Sequence, residues 1–335
     1  MQALLRLLLG LFSIFYVSSV FAQPSPDLIE GAKKEGKLVF YTVLLVPENR
    51  ALLAGFEKKY PFIKTEQFRL GAEKMRTKII TEFRAGRHVF DVTSMNVIDV
   101  GLLLRQGVLA PYKALARDGI RDGLKDEEGY WTGLYVRKYV LTYNPRLIAS
   151  ADLPKDWWDL LHPKWKGKIG MDQEETEWYA GLASYWGADK ARKFMKGLLA
   201  QDFGMRRGHG IIAQLTSAGE FLLSIGYAHQ IEQMKSAGAP LDWIETTDPV
   251  VTSPSVVSIS SRAAHPYSAR LFTEYVLSRE GQLLIQSFPR VVAHKQVPPP
   301  SPKLDLDRLK VFYISPELAD RYEEFQREYN EIFGR

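Results

Sequence analysis

The stretch Tyr139–Met171, YVLTYNPRLIASADLPKDWWDLLHPKWKGKIGM, holds two strand signals, a capped short helix and a dense set of turns. Val140–Tyr143 is a β-prone run that stops at Asn144-Pro145, because proline removes a ladder donor and biases its predecessor away from helix. Asp156 is placed to cap a short helix starting at Trp157-Trp158, with Asp159 three residues on as the acidic half of a capping box. His162-Pro163 ends that helix, and Gly167 releases the chain into a new strand, Lys168–Met171. The segment predicts a strand leaving one sheet and a strand entering another, joined by a compact surface connection.

Strand and helix patterns alternate on both sides of it. Lys37–Val43 reads as a strand, and Leu52, Phe56 and Tyr60 make one helix face before Pro61 stops it. A helix over Glu73–Ala85 carries Met75, Ile79, Ile80 and Phe83 on one face, followed by a strand at Val89–Ser94 and a helix at Val97–Gln106. Beyond Met171 helices are predicted at Trp178–Trp186, Ala188–Ala200, Ile211–Ala218 and Ala228–Ala237, with strands at Phe221–Tyr227, Leu241–Glu245 and Val256–Ser260. Helices from Pro266 and from Glu280, a linker at Pro298-Pro299-Pro300 and an outward-packed amphipathic helix at Glu317–Phe333 complete the chain. The alternation predicts two α/β domains built on mostly parallel sheets.

Arg6, the apolar run Leu7–Val17 and the small-residue site Val20-Phe21-Ala22 read as a cleaved secretory signal peptide over residues 1–22, which places the mature chain in a periplasm. Cysteine is absent, so neither a disulfide framework nor a lipid-modified cysteine anchor is available, and hydrophobic cores must supply the stability. Without Arg6, 43 basic residues face 39 acidic ones. That small, dispersed excess forms no basic stripe with stacking aromatics, which argues against nucleic acid as a partner.

No nucleophile elbow, P-loop, dinucleotide fingerprint or zinc-protease helix is present, so no catalytic residues are assigned. The six histidines lack ligand spacing, Gly208-His209-Gly210 is too short to signal phosphate binding, and neither a metal site nor a cofactor is expected. Ligands of α/β sheets collect at the carboxyl ends of strands. That rule selects the acidic run Asp172–Glu177, where Glu174 is a candidate contact and Trp178 and Tyr179 are candidate stacking walls; solvated helix-start charge explains the same acids. It also selects Thr42, Arg69, Ser94 and Asn96 as contacts or caps. Arg69, Arg137, Arg206 and Arg207 are the candidates for gripping an anion bidentately.

Several of these segments resemble the family-1 extracellular solute-binding proteins, the ferric-iron-type binding components of ABC importers. The matching residues are Glu30–Val39, Gln106–Tyr112, Leu153–Leu161 with Pro163–Lys168, Ala237–Pro240 and Ser278–Gln282. The resemblance implies a class II periplasmic binding protein fold: two α/β lobes joined by two hinge strands, Tyr139–Tyr143 and Val256–Ser260. Lobe one would comprise residues 27–138 plus 259–335, and lobe two residues 141–255. It further implies a monomeric receptor that carries a small solute to the membrane permease of an ABC importer. Iron-binding members carry adjacent tyrosines near the junction that here reads Gly226-Tyr227-Ala228-His229-Gln230, where only one tyrosine stands. That loss weakens a ferric site. The expectation is therefore an anionic organic solute met by Tyr227, His229, Gln230 and either Arg69 or Arg137, with a cationic solute facing Glu174 and Glu177 as a lesser option. The alternatives are a ferric-iron carrier and, more remotely, an enzyme on the same scaffold.

Overall fold

The computed structural model describes residues 23–245 and 248–334; residues 1–22, which read as a signal peptide in the sequence, lie outside them. The chain opens with α1 (Pro26–Glu35), β1 (Lys37–Thr42), α2 (Val46–Lys59), β2 (Lys64–Arg69), α3 (Ala72–Arg84), β3 (Val92–Asn96), α4 (Val97–Arg105) and β4 (Leu109–Ala110). The long strand β5 (Thr132–Tyr143) then leads to β6 (Ile169–Asp172), α5 (Thr176–Trp186), α6 (Ala188–Leu199), β7 (Gly204–Arg206), α7 (His209–Ala218), β8 (Leu223–Tyr227), α8 (Ala228–Ser236) and β9 (Asp242–Ile244). A second long strand, β10 (Val250–Ser260), returns the chain to α9 (Pro266–Leu277), α10 (Arg279–Gln286), β11 (Val291–Val292), β12 (Val311–Tyr313) and α11 (Tyr322–Phe333).

Strands run in the order β2-β1-β3-β10-β5-β8-β6-β7. β1 pairs in parallel with β2 and β3, and β6 in parallel with β7 and β8, as helical crossovers require. β5 divides this path. Its residues Thr132–Lys138 pair antiparallel with β10, whereas Tyr139–Tyr143 pair antiparallel with β8. A single strand thus belongs to two sheets, with the change at Lys138/Tyr139, and the result is a two-lobed α/β fold. Both sheet faces are covered: Val39 and Tyr41 enter one buried cluster and Leu38 and Phe40 the other.

The Asp156 cap forms, its Oδ1 accepting from the backbone N–H of Trp158 at 2.8 Å and of Asp159 at 3.2 Å. The helix it starts is one 3₁₀ turn, Trp158–Leu161, and Asp159 reaches back to the Lys155 N–H rather than to the cap itself. The expected C-terminal helix splits at Arg321 into a 3₁₀ turn, Pro316–Asp320, and α11. The turn packs on α4 and α11 on α5 and α6, so this segment touches both halves rather than lying on lobe one alone.

Lys138 lies on the opposite face of β5 from Arg137. It is 1% exposed, and its Nζ donates to the Leu304 carbonyl at 2.7 Å. Burial pushes its ammonium down to about 7 from an ordinary 10.5. Above pH 7 the unfolded chain therefore holds a proton that the folded chain has released, and this residue makes stability rise with pH up to about 10. Urea unfolding of wild type and Lys138→Met between pH 6.5 and 9.5 should show a gap that moves in favour of wild type as pH rises; a constant gap would refute it.

Candidate functional site

The carboxyl ends of β1, β3, β6 and β8 face one another across β5 and β10. Two chambers open there, one of about 340 Å³ and one of about 610 Å³. They share Gly71, Ala72, Asn96, Arg137, His209 and Tyr227, so these six residues form the partition between them. Strand alternation explains why β5 serves the cleft: Arg137 and Tyr139 point to it, and Lys138 points away.

Arg137 is the hub. Its Nη2 donates to Glu177 Oε2 at 3.0 Å and to Ser253 Oγ at 2.7 Å, and its Nη1 to the Tyr227 hydroxyl at 3.3 Å. Tyr139 donates to Glu177 Oε2 at 3.0 Å, and Ser253 donates to Glu177 Oε1 at 2.6 Å. Burial works against the Arg137 charge, but Glu177 and the surrounding phenol oxygens outweigh it and hold its pKa above the ordinary value. Glu48 and Arg290 form a second buried pair in the smaller chamber, with Arg290 Nη1 2.6 Å from His229 Nε2. Burial, followed by Arg290, holds the His229 imidazole well below its usual range, and its Nδ1 has no hydrogen-bond partner among the described residues.

The structure gathers most of the sequence candidates at this place. Arg69 lines the smaller chamber, its Nε donating to the Leu44 carbonyl at 3.2 Å, and no carboxylate among the described residues pairs with it. His229 lines the same chamber, Glu174 lines the larger one, and Asn96, Arg137 and Tyr227 stand between them. Asn96 is also a cap, accepting from the Asp99 N–H at 2.9 Å. Arg207 lines the larger chamber, and five candidates lie elsewhere, Arg206 among them, paired with Glu220 at 2.7 Å. Thr42 bridges a turn, accepting from the Leu44 N–H at 3.0 Å, and Ser94 is fully buried beside it in the sheet; neither lines a chamber. Trp178 and Tyr179 are not ligand walls: Trp178 packs on Trp157 and Phe194, and Tyr179 on Phe325 with its hydroxyl on Glu328. Both have no exposed surface. Helix α5 is buried nearly all round, so its sequence offers no polar face from which the cleft side could be read.

Glu48, Ser255, Arg290 and His209 are among the polar lining residues that escaped the sequence. His209 obeys the strand-end rule, since it starts α7 directly after β7, but a three-residue strand reading Gly-Met-Arg has no β signature. Arg290 stands 61 positions from His229 and carries no local signal.

Two phenols of the cleft, Tyr227 and Tyr139, have hydroxyls that lie 3.3 Å apart beside Arg137 and Glu177. Tyr227 is the one phenol that β8 supplies to the junction, burial holds its pKa above the ordinary value, and the Arg137 guanidinium lies against it. A protonated phenol beside a fixed cation is a poor ligand for a trication. No group of three or more His, Cys, Asp or Glu residues able to hold a metal ion occurs among the described residues.

The sequence pattern of the family described as bacterial extracellular solute-binding protein matches residues 97–307. The chain belongs to that family. This solute-binding protein is 27% identical over 267 residues to an uncharacterized protein of Haemophilus influenzae, which covers 76% of each chain. Its fold matches iron-bound HitA from Pseudomonas aeruginosa with a TM-score of 0.80 at 21% identity, over 88% of this chain and 99% of that one. It also matches the periplasmic binding protein AfuA from Actinobacillus pleuropneumoniae, bound to fructose-6-phosphate, with a TM-score of 0.74 at 24% identity over 89% and 97%. The family is one of binding proteins, not of enzymes, and the two-lobed architecture agrees with both solved structures.

Proposed function

We propose that this protein captures a small anionic organic solute, carboxylated or phosphorylated, in the cleft between its lobes. The observation that carries the reading is a charge count: Arg69, Arg137 and Arg290 converge on the smaller chamber, where Glu177 answers Arg137, Glu48 answers Arg290, and no carboxylate among the described residues answers Arg69. Arginine's planar fork suits carboxylate and phosphate, and Arg69 has a guanidinium free to meet one. Tyr227, His229 and Asn96 are the polar groups that orient the solute, and Glu174 stands at the rim of the larger chamber. The lobe boundaries that go with this reading are residues 27–138 plus 259–335 and residues 141–255, with α11 reaching across. Closure about Lys138/Tyr139 buries the solute and changes the outer surface. A membrane permease of an ABC importer reads that change and receives the solute unaltered from a monomeric, periplasmic receptor exported by its signal peptide.

A thermal-shift panel on mature protein, unfolded and refolded free of ligand, tests this. A ligand at one hundred times its dissociation constant adds about 2.7 kcal/mol. Fructose-6-phosphate, inorganic phosphate and dicarboxylic acids form the anionic set, to be compared with ferric ion and polyamines. Stabilisation by a member of the anionic set is expected; stabilisation by ferric ion or polyamine alone would overturn the reading.

A further inference from the structure

Glu175 and His209 lie at the floor of the cleft. Glu175 closes the link between β6 and α5, has no exposed surface, and neither of its oxygens has a hydrogen-bond partner among the described residues. His209 Nδ1 lies 3.6 Å from Glu175 Oε1 and is likewise unpartnered. The His209 ring stands on Tyr227 with centroids 3.9 Å apart and lines both chambers, whereas Glu175 lines neither.

The charged and titratable neighbours explain why this pair differs from the rest of the site. Asp172, at the end of β6, accepts from the Gly208 N–H at 2.8 Å and the Glu174 N–H at 3.0 Å. Glu177, from α5, is held by Arg137 and Tyr139 of β5 and by Ser253 of β10. Tyr227 from β8, Tyr139 and Arg137 from β5 and His229 from α8 also face His209. Of these three carboxyl groups Glu175 alone has no donor. A buried carboxylate without donors is costly, and a buried carboxylic acid much less so. Burial, then Asp172 and Glu177, push the Glu175 carboxyl well above its usual range, while burial pushes the His209 imidazole down to about 4. Complete burial without a donor favours the neutral acid at Glu175 beside a neutral His209 when the cleft is empty.

We propose that Glu175 stores a proton which it passes to His209 when an anionic solute enters, making His209 a switchable cation of the binding site. In that step the O–H bond of Glu175 breaks and an N–H bond forms at His209 Nδ1, leaving a carboxylate facing an imidazolium with no exchange with solvent. The positive charge then rests on a ring that borders both chambers, and the new carboxylate gains the donor it lacked. The inference rests on the anionic-solute reading above.

Nuclear magnetic resonance on protein labelled with ¹⁵N-histidine and ¹³C-glutamate, near pH 7, tests it, with His209→Gln and Glu175→Gln spectra supplying the assignments. In the empty protein the His209 ring should give the shifts of a neutral tautomer and Glu175 those of a protonated carboxyl. Saturation with fructose-6-phosphate or inorganic phosphate should convert them to imidazolium and carboxylate. Calorimetry in buffers of different ionisation enthalpy should show close to zero net proton uptake for wild type. In Glu175→Gln His209 must draw its proton from solvent, so anion affinity should fall at least tenfold between pH 6 and pH 8. An imidazolium already present in the empty protein would overturn the inference, and so would an anion that stabilises the protein while His209 stays neutral. If no anion stabilises the protein, the anionic-solute reading falls and this inference falls with it.

Discussion

Arg137→Met should weaken binding of any anionic solute at least 100-fold, a loss of about 2.7 kcal/mol of binding free energy. Arg137 reaches both chambers from β5, the strand that belongs to both sheets, and its guanidinium is the cationic centre of the partition. The single change has a second consequence. Glu177, whose side chain is 12% exposed, keeps the hydroxyls of Tyr139 and Ser253 but loses its counter-charge. Removing one partner of a buried pair costs about 3–5 kcal/mol of stability. The double variant Arg137→Met/Glu177→Gln should therefore recover most of the lost stability, because neither charge remains, while binding stays lost. Chemical denaturation separates the two effects from titration calorimetry. Full binding in the double variant would show that the anion is held elsewhere, with Arg69 and Arg290 as the next groups to change.

Glu48→Ala should lower stability by about 3–5 kcal/mol, on the order of 10 °C in Tm. Glu48 accepts from Arg290 Nε at 2.9 Å and Nη2 at 3.0 Å, and its Oε2 also takes the Leu45 N–H at 3.3 Å at the start of α2. Arg290 lies over the Tyr135 ring at 4.6 Å, and both charged side chains are 8% exposed. Truncation at residue 48 strands a buried guanidinium beside a chamber that then holds three arginines and no acid. An anion in that chamber replaces the missing carboxylate, so inorganic phosphate should raise the Tm of the variant more than that of wild type. Equal phosphate shifts in the two proteins would mean that Glu48 and Arg290 form a structural tie with no electrostatic connection to the site.

The sequence makes the fold legible where periodicity is clean. Lys37–Val43 contains β1, Val97–Gln106 contains α4, and Pro266 opens α9 as its fixed φ favours. It hides two kinds of element. β2 reads Lys-Thr-Glu-Gln-Phe-Arg, an edge strand exposed along nearly its whole length and so without apolar alternation. The first half of β5 is masked because Arg137 and Lys138 interrupt an otherwise apolar run, although both are largely buried in the folded chain. Those two charges mark the place where the strand changes sheets, and one of them, Arg137, lines both chambers. Tyr227 comes from the family resemblance, whereas the strand-end rule places Arg69 and Asn96 at the cleft because the geometry behind it is local. It fails for Trp178 and Tyr179, one turn into α5, where the helix has already entered the core. It cannot reach Glu48 and Arg290, which meet across 242 positions of sequence.

Native mass spectrometry measures most directly what the cleft holds. Mature protein, refolded free of ligand, would be mixed with ferric ion, spermidine, 2-oxoglutarate, fructose-6-phosphate and inorganic phosphate in equimolar amounts. One organic or inorganic anion bound per chain, lost in Arg137→Met/Glu177→Gln, is the predicted result. A one-to-one iron adduct with a visible tyrosinate-to-iron band, or a spermidine adduct in place of an anion, would contradict it.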